Sequence, residues 1–448
     1  MKAKHITMKT NWKSILNNQN GVTIILVAIL MSIFLGVLAL AIDLSHLYVV
    51  RNELQNAADA GALAGARFLY NDYGTEINEG ANLIAYNAAI ANKAIAQSDG
   101  AIAVDVNWEP GQNEGDGIDV QRGHWRFSNR TFTANNSLLP VDLWGVSEAA
   151  LDANEDFINA VRVVARREAH PAASFFARIF GYTDFELSAE AVSYIGFAGT
   201  LGPGEADQPI AICEDSILID GVYSCDVGRM INSGQDSGTN ETGGWTDFNQ
   251  EDNPCEGGTN ANAVRELVCE NGNPDMVLFG GDMATNGGEI QTAFDNLEAC
   301  WIENTGKMKT WNMTLPVIRC DSNNVGTCEE VVGSVNVNLI WVLRDAQKNK
   351  IDDEAPYEME NPDPEGTDWT NNDPDGTVRW DSFVTHFNLR TSDDKLATYE
   401  YIDDDGDTES GYTKKTLYFL PDCTFHKLKG NTGGKNFGVL ARIPVLVK

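Results

Sequence analysis

The stretch GVTIILVAILMSIFLGVLALAI (residues 21–42) runs without a break into DLSHLYVVRNELQNAADAGALAGARFLY (residues 43–70). From Val22 to Ile42 there are 21 residues with no charge and no proline, enough helix to cross a hydrocarbon core of about 30 Å. A cleavable signal peptide has a shorter apolar region with a small-residue exit, whereas this run passes into Asp43 and a polar helix. We therefore predict a single membrane span over residues 21–42, with a cleaved signal as the alternative.

Positive charges before the span predict its orientation. Lys2, Lys4, Lys9 and Lys13 all precede it, and cytoplasmic flanks collect Lys and Arg. Residues 1–20 are then a basic cytoplasmic tail of a single-pass protein in the inner (cytoplasmic) membrane. The bulk of the chain is expected in the periplasm or outside the cell.

The helix is expected to continue past the membrane, because Ala, Leu, Gln, Glu and Arg favour helix and no proline follows Asp43. A helix from Val22 to Leu69 would be about 70 Å long. Apolar and small residues recur along it at alternating steps of three and four, as in a heptad pattern. These positions are Leu44, Leu47, Arg51, Leu54, Ala58, Gly61, Gly65 and Phe68.

Small residues mark two parts of this helix as candidate packing surfaces. Within the span, Ala28, Ser32 and Gly36 follow the small-xxx-small spacing that lets helix backbones approach closely. Beyond it, residues 57–66 are almost all alanine and glycine and include the further candidates Ala58, Gly61 and Gly65. Partner helices, including a second copy of this chain, could fill either surface. For residues 57–66 the protein's own globular part is the favoured neighbour.

Charge and length limit the classes of function. The chain has 448 residues, 65 acidic against 32 basic, and a formal net charge of −33. This length predicts two or three domains. Binding of nucleic acid needs clustered Lys and Arg, so the acidic balance excludes it as an expected partner. The same balance argues against adhesion to anionic lipid. Membrane lipid is an expected partner through the span.

Eight cysteines occur, all of them after residue 212. They are Cys213, Cys225, Cys255, Cys269, Cys300, Cys320, Cys328 and Cys423. An even number on the exported side predicts disulfides. Zinc is the alternative, but no CxxC motif occurs and only His426 lies close to a cysteine. Eight cysteines allow 105 pairings, of which Cys213 with Cys225 and Cys255 with Cys269 are easy local closures.

Residues 43–205 are predicted to form an α+β unit in which the long helix packs on a small antiparallel sheet. A second helix is expected over Ala81–Gln97, and strands are expected over 101–108, 117–127, 160–168 and 185–197. Pro171 suits the first turn of a short helix that ends at Gly181. Residues 198–208, rich in glycine and acid, are predicted to be a linker, with a boundary near residue 205.

Residues 206–448 are predicted to form a β-rich, disulfide-containing domain. Most of its apolar segments have strand character, including 379–390, and two short helices are expected at Asn262–Cys269 and Ile290–Glu298. The acidic insertion Asp352–Asp375 is typical of a solvated loop. The overall fold class is therefore α+β with an N-terminal transmembrane helix.

Motifs for chemistry are few. Asp403, Asp405 and Asp407 surround Gly406 at alternate positions, as in some calcium loops, but the EF-hand glycine and glutamate positions are missing, and a solvated hairpin turn is the alternative. No GxSxG or HExxH motif occurs, and the six histidines are scattered. We expect no enzyme and no cofactor other than this weak calcium candidate. Distal-domain tryptophans could stack on sugars or fill a core, and Trp369 in the acidic insertion is the exception that we single out for testing.

The order of these features resembles the TadE/TadG-like proteins of bacterial Tad (Flp) pilus-assembly systems. The resemblance is strongest in LALAIDLSHLYVVRNELQNAADAGALAGA (residues 38–66). It continues more faintly in GHWRF (123–127), AVRVVARRE (160–168), FFARIFG (175–181) and LSAEAVSYI (187–195). Gly21 corresponds to the candidate processing site of pilins, but the fifth residue after it is Leu26 where processed pilins usually carry glutamate. The resemblance implies a non-enzymatic, membrane-anchored part of a pilus or secretion machine that contacts other subunits.

Two functions follow as expectations. In the first, the chain is a structural component of a Tad/Flp-type pilus or related assembly system and acts through helix packing and its exported domain. In the second, it is a membrane-tethered surface module that binds carbohydrate or acts as a calcium-dependent adhesin.

Overall fold

A computed structural model describes residues 19–94, 102–225, 228–232, 243–251, 253–256, 258–270, 272–288, 290–320, 325–344, 377–391, 395–411 and 415–448. Residues 1–18 of the basic tail, which include its lysines, lie outside the described residues, as do the acidic insertion and Trp369. The described helices are α1 (Gln19–Arg67), α2 (Ala81–Ala91), α3 (Glu148–Ala153), α4 (Ala261–Leu267), α5 (Gln291–Thr305) and α6 (Thr377–His386). Short 3-10 helices occupy Ala177–Phe180 and Glu214–Ser216.

Strands dominate the rest of the chain. The first six are β1 (Lys93–Ala94), β2 (Ile102–Ala103), β3 (Val120–Arg126), β4 (Thr131–Ala134), β5 (Ala160–Ala173) and β6 (Asp184–Tyr194). The next eight are β7 (Thr200–Leu201), β8 (Ile210–Cys213), β9 (Leu218–Ile219), β10 (Val222–Tyr223), β11 (Gly228–Asn232), β12 (Gly243–Thr246), β13 (Val277–Leu278) and β14 (Asp282–Asn286). The last nine are β15 (Trp311–Arg319), β16 (Cys328–Leu343), β17 (Leu389–Arg390), β18 (Tyr401–Ile402), β19 (Thr408–Glu409), β20 (Thr416–Pro421), β21 (Lys429–Asn431), β22 (Ala441–Ile443) and β23 (Val445–Leu446).

The long helix packs on a five-stranded antiparallel sheet of order β23-β6-β5-β3-β4. Its second half and α2 share one buried cluster with this sheet, which includes Leu54, Ala58, Ala85, Val161 and Val163. Tyr70, just past the end of α1, is buried, and its hydroxyl donates to the carbonyl oxygen of Ile158 at 2.6 Å. The predicted α+β unit is confirmed.

A second sheet forms the β-rich part, in the order β14-β12-β8-β15-β16-β20-β11-β17. β14 also pairs with β16, so β14, β12, β8, β15 and β16 close into a ring. Most pairings are antiparallel, and β15 runs parallel to β8. Aromatic side chains fill its core, including Trp301 and Trp341, while α5 packs against it. The predicted β-rich C-terminal part is confirmed.

All eight cysteines form disulfides, but the local pairings expected from the sequence are wrong. The pairs are Cys213–Cys320, Cys225–Cys423, Cys255–Cys328 and Cys269–Cys300. The strand pairing gives the reason in one case: β8 and β15 lie side by side with Ile318 opposite Cys213, so Cys320 is within reach at a Cα–Cα distance of 5.5 Å. Three of the four bonds therefore join segments more than 70 residues apart.

The end of the chain returns to the first unit. Strand β23 pairs with β6, and Leu428, Leu440 and Ala441 are buried in the same cluster as α1. The predicted linker is wrong as well, since Leu201 and Ala206 are buried and β7 pairs with β13. Residues 43–205 and 206–448 are thus joined by buried contacts. The boundary near residue 205 stays a prediction.

Two further sequence expectations fail locally. Residues 379–390 were expected as a strand, but α6 occupies most of them and buries Trp380 and Phe383 on the aromatic core. The helix expected after Pro171 is replaced by the end of β5 and the short 3-10 helix. In that segment, pairing of Ala172 with Phe185 in β6 outweighs the local helix preference.

Candidate functional site

The two halves of α1 have opposite surroundings. In the first half, residues 23–42, every residue is exposed except the partly exposed Ala39, and none carries a charge. Isolated apolar helix surface of this size is unstable in water. The first half of α1 is therefore a candidate membrane span by length and composition.

The small residues of the span lie on an open face. A Cβ added to Gly36 would have no atom within 4 Å. Ser32 Oγ donates to the carbonyl oxygen of Ala28 at 2.8 Å, so the hydroxyl is satisfied within the helix. The face formed by Ala28, Ser32 and Gly36 can therefore contact lipid or another helix without leaving an unpaired hydroxyl.

The space beside the small residues of the second half, residues 43–67, is occupied by other parts of the same chain. A Cβ on Gly61 would lie 2.9 Å from the Ala85 oxygen, and one on Gly65 would lie 2.7 Å from the Ala85 Cβ. Val161 and Val163 of β5 are similarly close on another side. Ala58, Gly61 and Gly65 thus serve intramolecular packing, as favoured for residues 57–66, and are not available to a partner helix.

The heptad positions predicted for this helix are buried only in part. Leu54, Ala58, Gly61 and Gly65 are buried, but Leu44, Arg51 and Phe68 are exposed. The buried stripe also takes in Val50, Ala57, Ala62, Ala66 and Leu69. A straight helix has 3.6 residues per turn and drifts by about 20° per heptad away from a 3.5-residue pattern. The second half of α1 packs on a sheet and on α2, and its buried stripe is closer to the 3.6-residue period than to a heptad seam.

Asp43 stands at the junction of the two halves and binds a distant loop. Its two carboxylate oxygens accept the backbone N–H groups of Phe175, Phe176 and Ala177 at distances of 2.6 to 3.2 Å. These residues connect β5 to β6, and the imidazole of His46 lies edge-on to the Phe175 ring at 5.2 Å. Asp43 therefore caps the 3-10 helix that begins at Ala177 and ties the loop to the exit of the span.

The environment of Asp43 favours its charged form. Burial alone would raise the pKa of the carboxyl, but the three backbone donors and the nearby His46 outweigh it and lower the pKa below its usual range. Sequence reasoning recognised Asp43 only as the first polar residue after the span. The segment FFARIFG (residues 175–181) was noted in the sequence only for its family resemblance. Nothing in the sequence pattern indicated that Asp43 would bind its backbone N–H groups.

The calcium candidates lie in a hairpin turn between β18 and β19. Asp403 Oδ1 accepts the backbone N–H of Asp407 at 2.8 Å, and Gly406 adopts a positive φ of 89°. Asp405 and Asp407 are exposed. Among the described residues, one group of three ligand atoms lies within 4.8 Å of one another, at Cys255, Asp282 and Cys328, and its cysteines form a disulfide. Calcium binding by Asp403, Asp405 and Asp407 stays a prediction.

A second polar cluster, not predicted from the sequence, surrounds Asp422. Its carboxylate contacts Thr424 Oγ1 at 2.7 Å and His426 Nε2 at 2.7 Å, while Thr424 Oγ1 also lies 3.0 Å from the same Nε2. Burial opposes ionisation of Asp422, but the bonds from His426 and Thr424 lower its pKa. A catalytic triad uses both ring nitrogens of histidine. Because both contacts here use one nitrogen, this cluster orders the loop beside Cys423 and cannot relay a proton from Thr424 to Asp422.

Most distal tryptophans are core residues. Trp245, Trp301, Trp341 and Trp380 are each at most 2% exposed, so they cannot stack on a sugar at the surface. His124 is also buried, with its two ring nitrogens 2.8 Å from the carbonyl oxygens of Phe157 and Asp152. The carbohydrate-binding alternative therefore gains no support from these four tryptophans.

Two family models match the N-terminal part of the chain. The Flp pilus-assembly TadE/G-like model covers residues 21–67, which is α1 from Gly21 to its end. The Tad-like Flp pilus-assembly model covers residues 64–193, which includes α2 and the strands β3 to β6. No curated protein and no solved structure matches the chain. Residues 21–193 therefore belong to the Tad family of Flp pilus-assembly proteins, and the chain has a role related to pilus assembly.

Proposed function

We propose that this chain is a membrane-anchored structural component of a Tad/Flp-type pilus or related assembly system, without enzymatic activity. The observation that carries the proposal is the division of α1. Its second half is buried against α2 and the five-stranded sheet. Its first half has about 20 exposed, uncharged residues that are not buried by any other described part of the chain. Such a helix anchors the folded part and leaves the face of Ala28, Ser32 and Gly36 for other subunits or a second copy.

The proposal includes an orientation. Four lysines precede the span, and all four disulfides lie on the other side of it. Disulfides persist in the periplasm and outside the cell but not in the cytosol, and cytoplasmic flanks collect positive charge. Both arguments support a cytoplasmic N-terminus in the inner membrane and an exported folded part.

Subunit contacts are proposed to run through the small face of the span. Ala28→Leu places bulk on that face, while Ala41→Leu makes the same change about 140° around the helix. Co-purification of two differently tagged copies, and of the assembly partners, is measured from native membranes. We expect Ala28→Leu to reduce recovery about ten-fold, because close helix approach needs small residues, and Ala41→Leu to leave it unchanged.

Equal recovery for both variants would contradict contact through this face. Anchoring is tested separately by alkaline extraction of membranes and by protease treatment of intact spheroplasts. Release of the uncut chain into the soluble fraction, or protection of the folded part from the external protease, would overturn the proposed anchor or its orientation.

A further inference from the structure

The tip of the β5–β6 hairpin, residues 174–183, exposes an unusual amount of apolar surface. Phe175, Phe176, Ile179, Phe180 and Tyr182 are between 38% and 81% exposed, all within eight residues. The tip contains no acidic residue in a chain of net charge −33. Its one charged side chain, Arg178, donates to the carbonyl oxygen of Ser174 at 2.6 and 3.0 Å. Apolar surface this concentrated marks a binding surface.

The hairpin runs down α1 toward the predicted membrane. Val161 lies against Gly65 and Val163 against Gly61, and further along the strand Phe175 and Ala177 bind Asp43. Increasing residue number in β5 therefore corresponds to decreasing residue number in α1. The 22 residues from Gly65 to Asp43 span about 33 Å, so the tip lies at the exit of the span.

Asp43 fixes the depth of the tip. Val22 to Ile42 is about 31 Å of helix, which matches the hydrocarbon thickness and places Asp43 at the boundary with the lipid headgroups. Its carboxylate holds the backbone of Phe175, Phe176 and Ala177 at the same level. Tyr182 is 62% exposed at this level, and Tyr48 is 67% exposed about 7.5 Å further along α1. Aromatic residues are enriched where membrane meets water.

We propose that the hairpin tip, residues 174–183, is a second membrane contact, in which Phe175, Phe176, Ile179, Phe180 and Tyr182 enter the lipid interface beside the span. The inference rests on the proposed function, because it takes residues 21–42 to cross the bilayer. The occupant is lipid because Asp43 ties the patch to α1 at the end of its exposed apolar half, which is the level expected for the membrane surface. With two contacts, the folded part is held at a fixed tilt on the membrane.

The test uses the full chain in vesicles of phosphatidylethanolamine and phosphatidylglycerol. Ile179→Cys is labelled with a thiol-reactive nitrobenzoxadiazole dye, and quenching is measured with lipids that carry a nitroxide near the headgroup. The native cysteines are all paired and do not compete for the dye. Ile179 is 76% exposed, so labelling does not disturb the core, and Phe180→Cys, at 81%, is an independent second site.

The matched control is Leu139→Cys. Leu139 is 77% exposed and adjoins Leu138, whose carbonyl oxygen accepts the N–H of Ile77, close to the far end of α1. The span is checked with Phe34→Cys and lipids that carry the nitroxide deep in the acyl chain. For the tip, we expect nitroxide lipids to lower fluorescence about two-fold or more. The Leu139 label should not change.

The outcomes separate the two proposals. A quenched span label with labels at residues 179 and 180 that respond no more than residue 139 would overturn the hairpin contact and leave the anchor intact. The exposed apolar residues of the tip would then be assigned to contact with another protein instead of lipid. A span label that is not quenched would overturn both the anchor and the inference that rests on it.

Discussion

The two halves of α1 are one continuous helix with two different neighbours. The first half is apolar on every side with large side chains such as Ile29, Phe34 and Leu38, and all of them are exposed. The second half has a stripe of small residues flanked by polar ones, and that stripe is buried on α2 and β5. A helix that is apolar all round suits lipid, whereas a one-sided helix suits a folded core. Side-chain distribution around the axis, rather than apolar content, separates the two roles.

The largest loss of stability is expected from a bulky substitution in the buried half of α1. Gly61→Leu introduces a Cβ at a position only 2.9 Å from both the Ala85 oxygen and the Ala89 Cβ, and the rest of the leucine side chain extends beyond it. We expect the free energy of unfolding of the folded part to fall by roughly 3 kcal/mol, because overpacked cores distort. Urea unfolding of the full chain in detergent, followed by tryptophan fluorescence, measures it.

Gly36→Leu is the matched control in the exposed half. It makes the same change where a Cβ would meet nothing within 4 Å. The free energy of unfolding should stay within about 0.5 kcal/mol of the parent value. If both glycines tolerate leucine equally, the buried half of the helix is not packed as described. A defect in pilus assembly by Gly61→Leu would in any case reflect misfolding, so it cannot report on helix association.

A smaller, local effect is expected at the junction. Asp43→Ala removes the acceptor of three backbone N–H groups, and hydrogen exchange of residues 175–177 should become about ten-fold faster as the hairpin tip opens. Asp59→Ala is the control, because that carboxylate bonds Gln55 of its own helix. Unchanged exchange in Asp43→Ala would mean that the loop is held by other contacts.

The smallest effect is a pH dependence of the same contact. Asp43 has a pKa below the usual value of 3.8 in the folded protein. Its bonds are therefore complete above that pH and are lost as the pH falls through the lowered pKa. Exchange of residues 175–177, corrected for its intrinsic pH dependence, should rise below about pH 4 in the parent. Asp43→Asn should show no such step.

Hydrogen exchange is followed at residues 175–177 because other carboxyl groups also have lowered pKa values and lose their charge at acidic pH. Burial opposes the ionisation of Asp152, but the bonds from Phe127 and Ser128 lower its pKa, and Asp422 behaves similarly. A global acid transition would mix these groups. A step at residues 175–177 with a midpoint above pH 3.8 would contradict the assignment to Asp43.

The family likeness and the main elements were readable from the sequence because they rest on local patterns. The apolar run up to Ile42 and the alanine-rich turns after it predict a long helix without reference to any partner. The valines of AVRVVARRE predict β5 in the same way. The strand predicted for residues 379–390 is wrong over residues 379–386, because their aromatic side chains suit a strand as well as a helix. In the folded protein they form a helix, with Trp380 packed on Trp341.

Local patterns in the sequence are enough to predict the candidate span, the long helix, the small residues that allow close packing, and the pairing of an even set of cysteines. The folded structure was needed to see which cysteines pair, that β23 returns to β6, and that Asp43 binds a loop more than 130 residues away. The two sets of features differ in the sequence distance over which the interactions act. Helix propensity and membrane insertion depend on neighbouring residues, whereas strand pairing, disulfides and capping across the chain depend on which distant segments share a core.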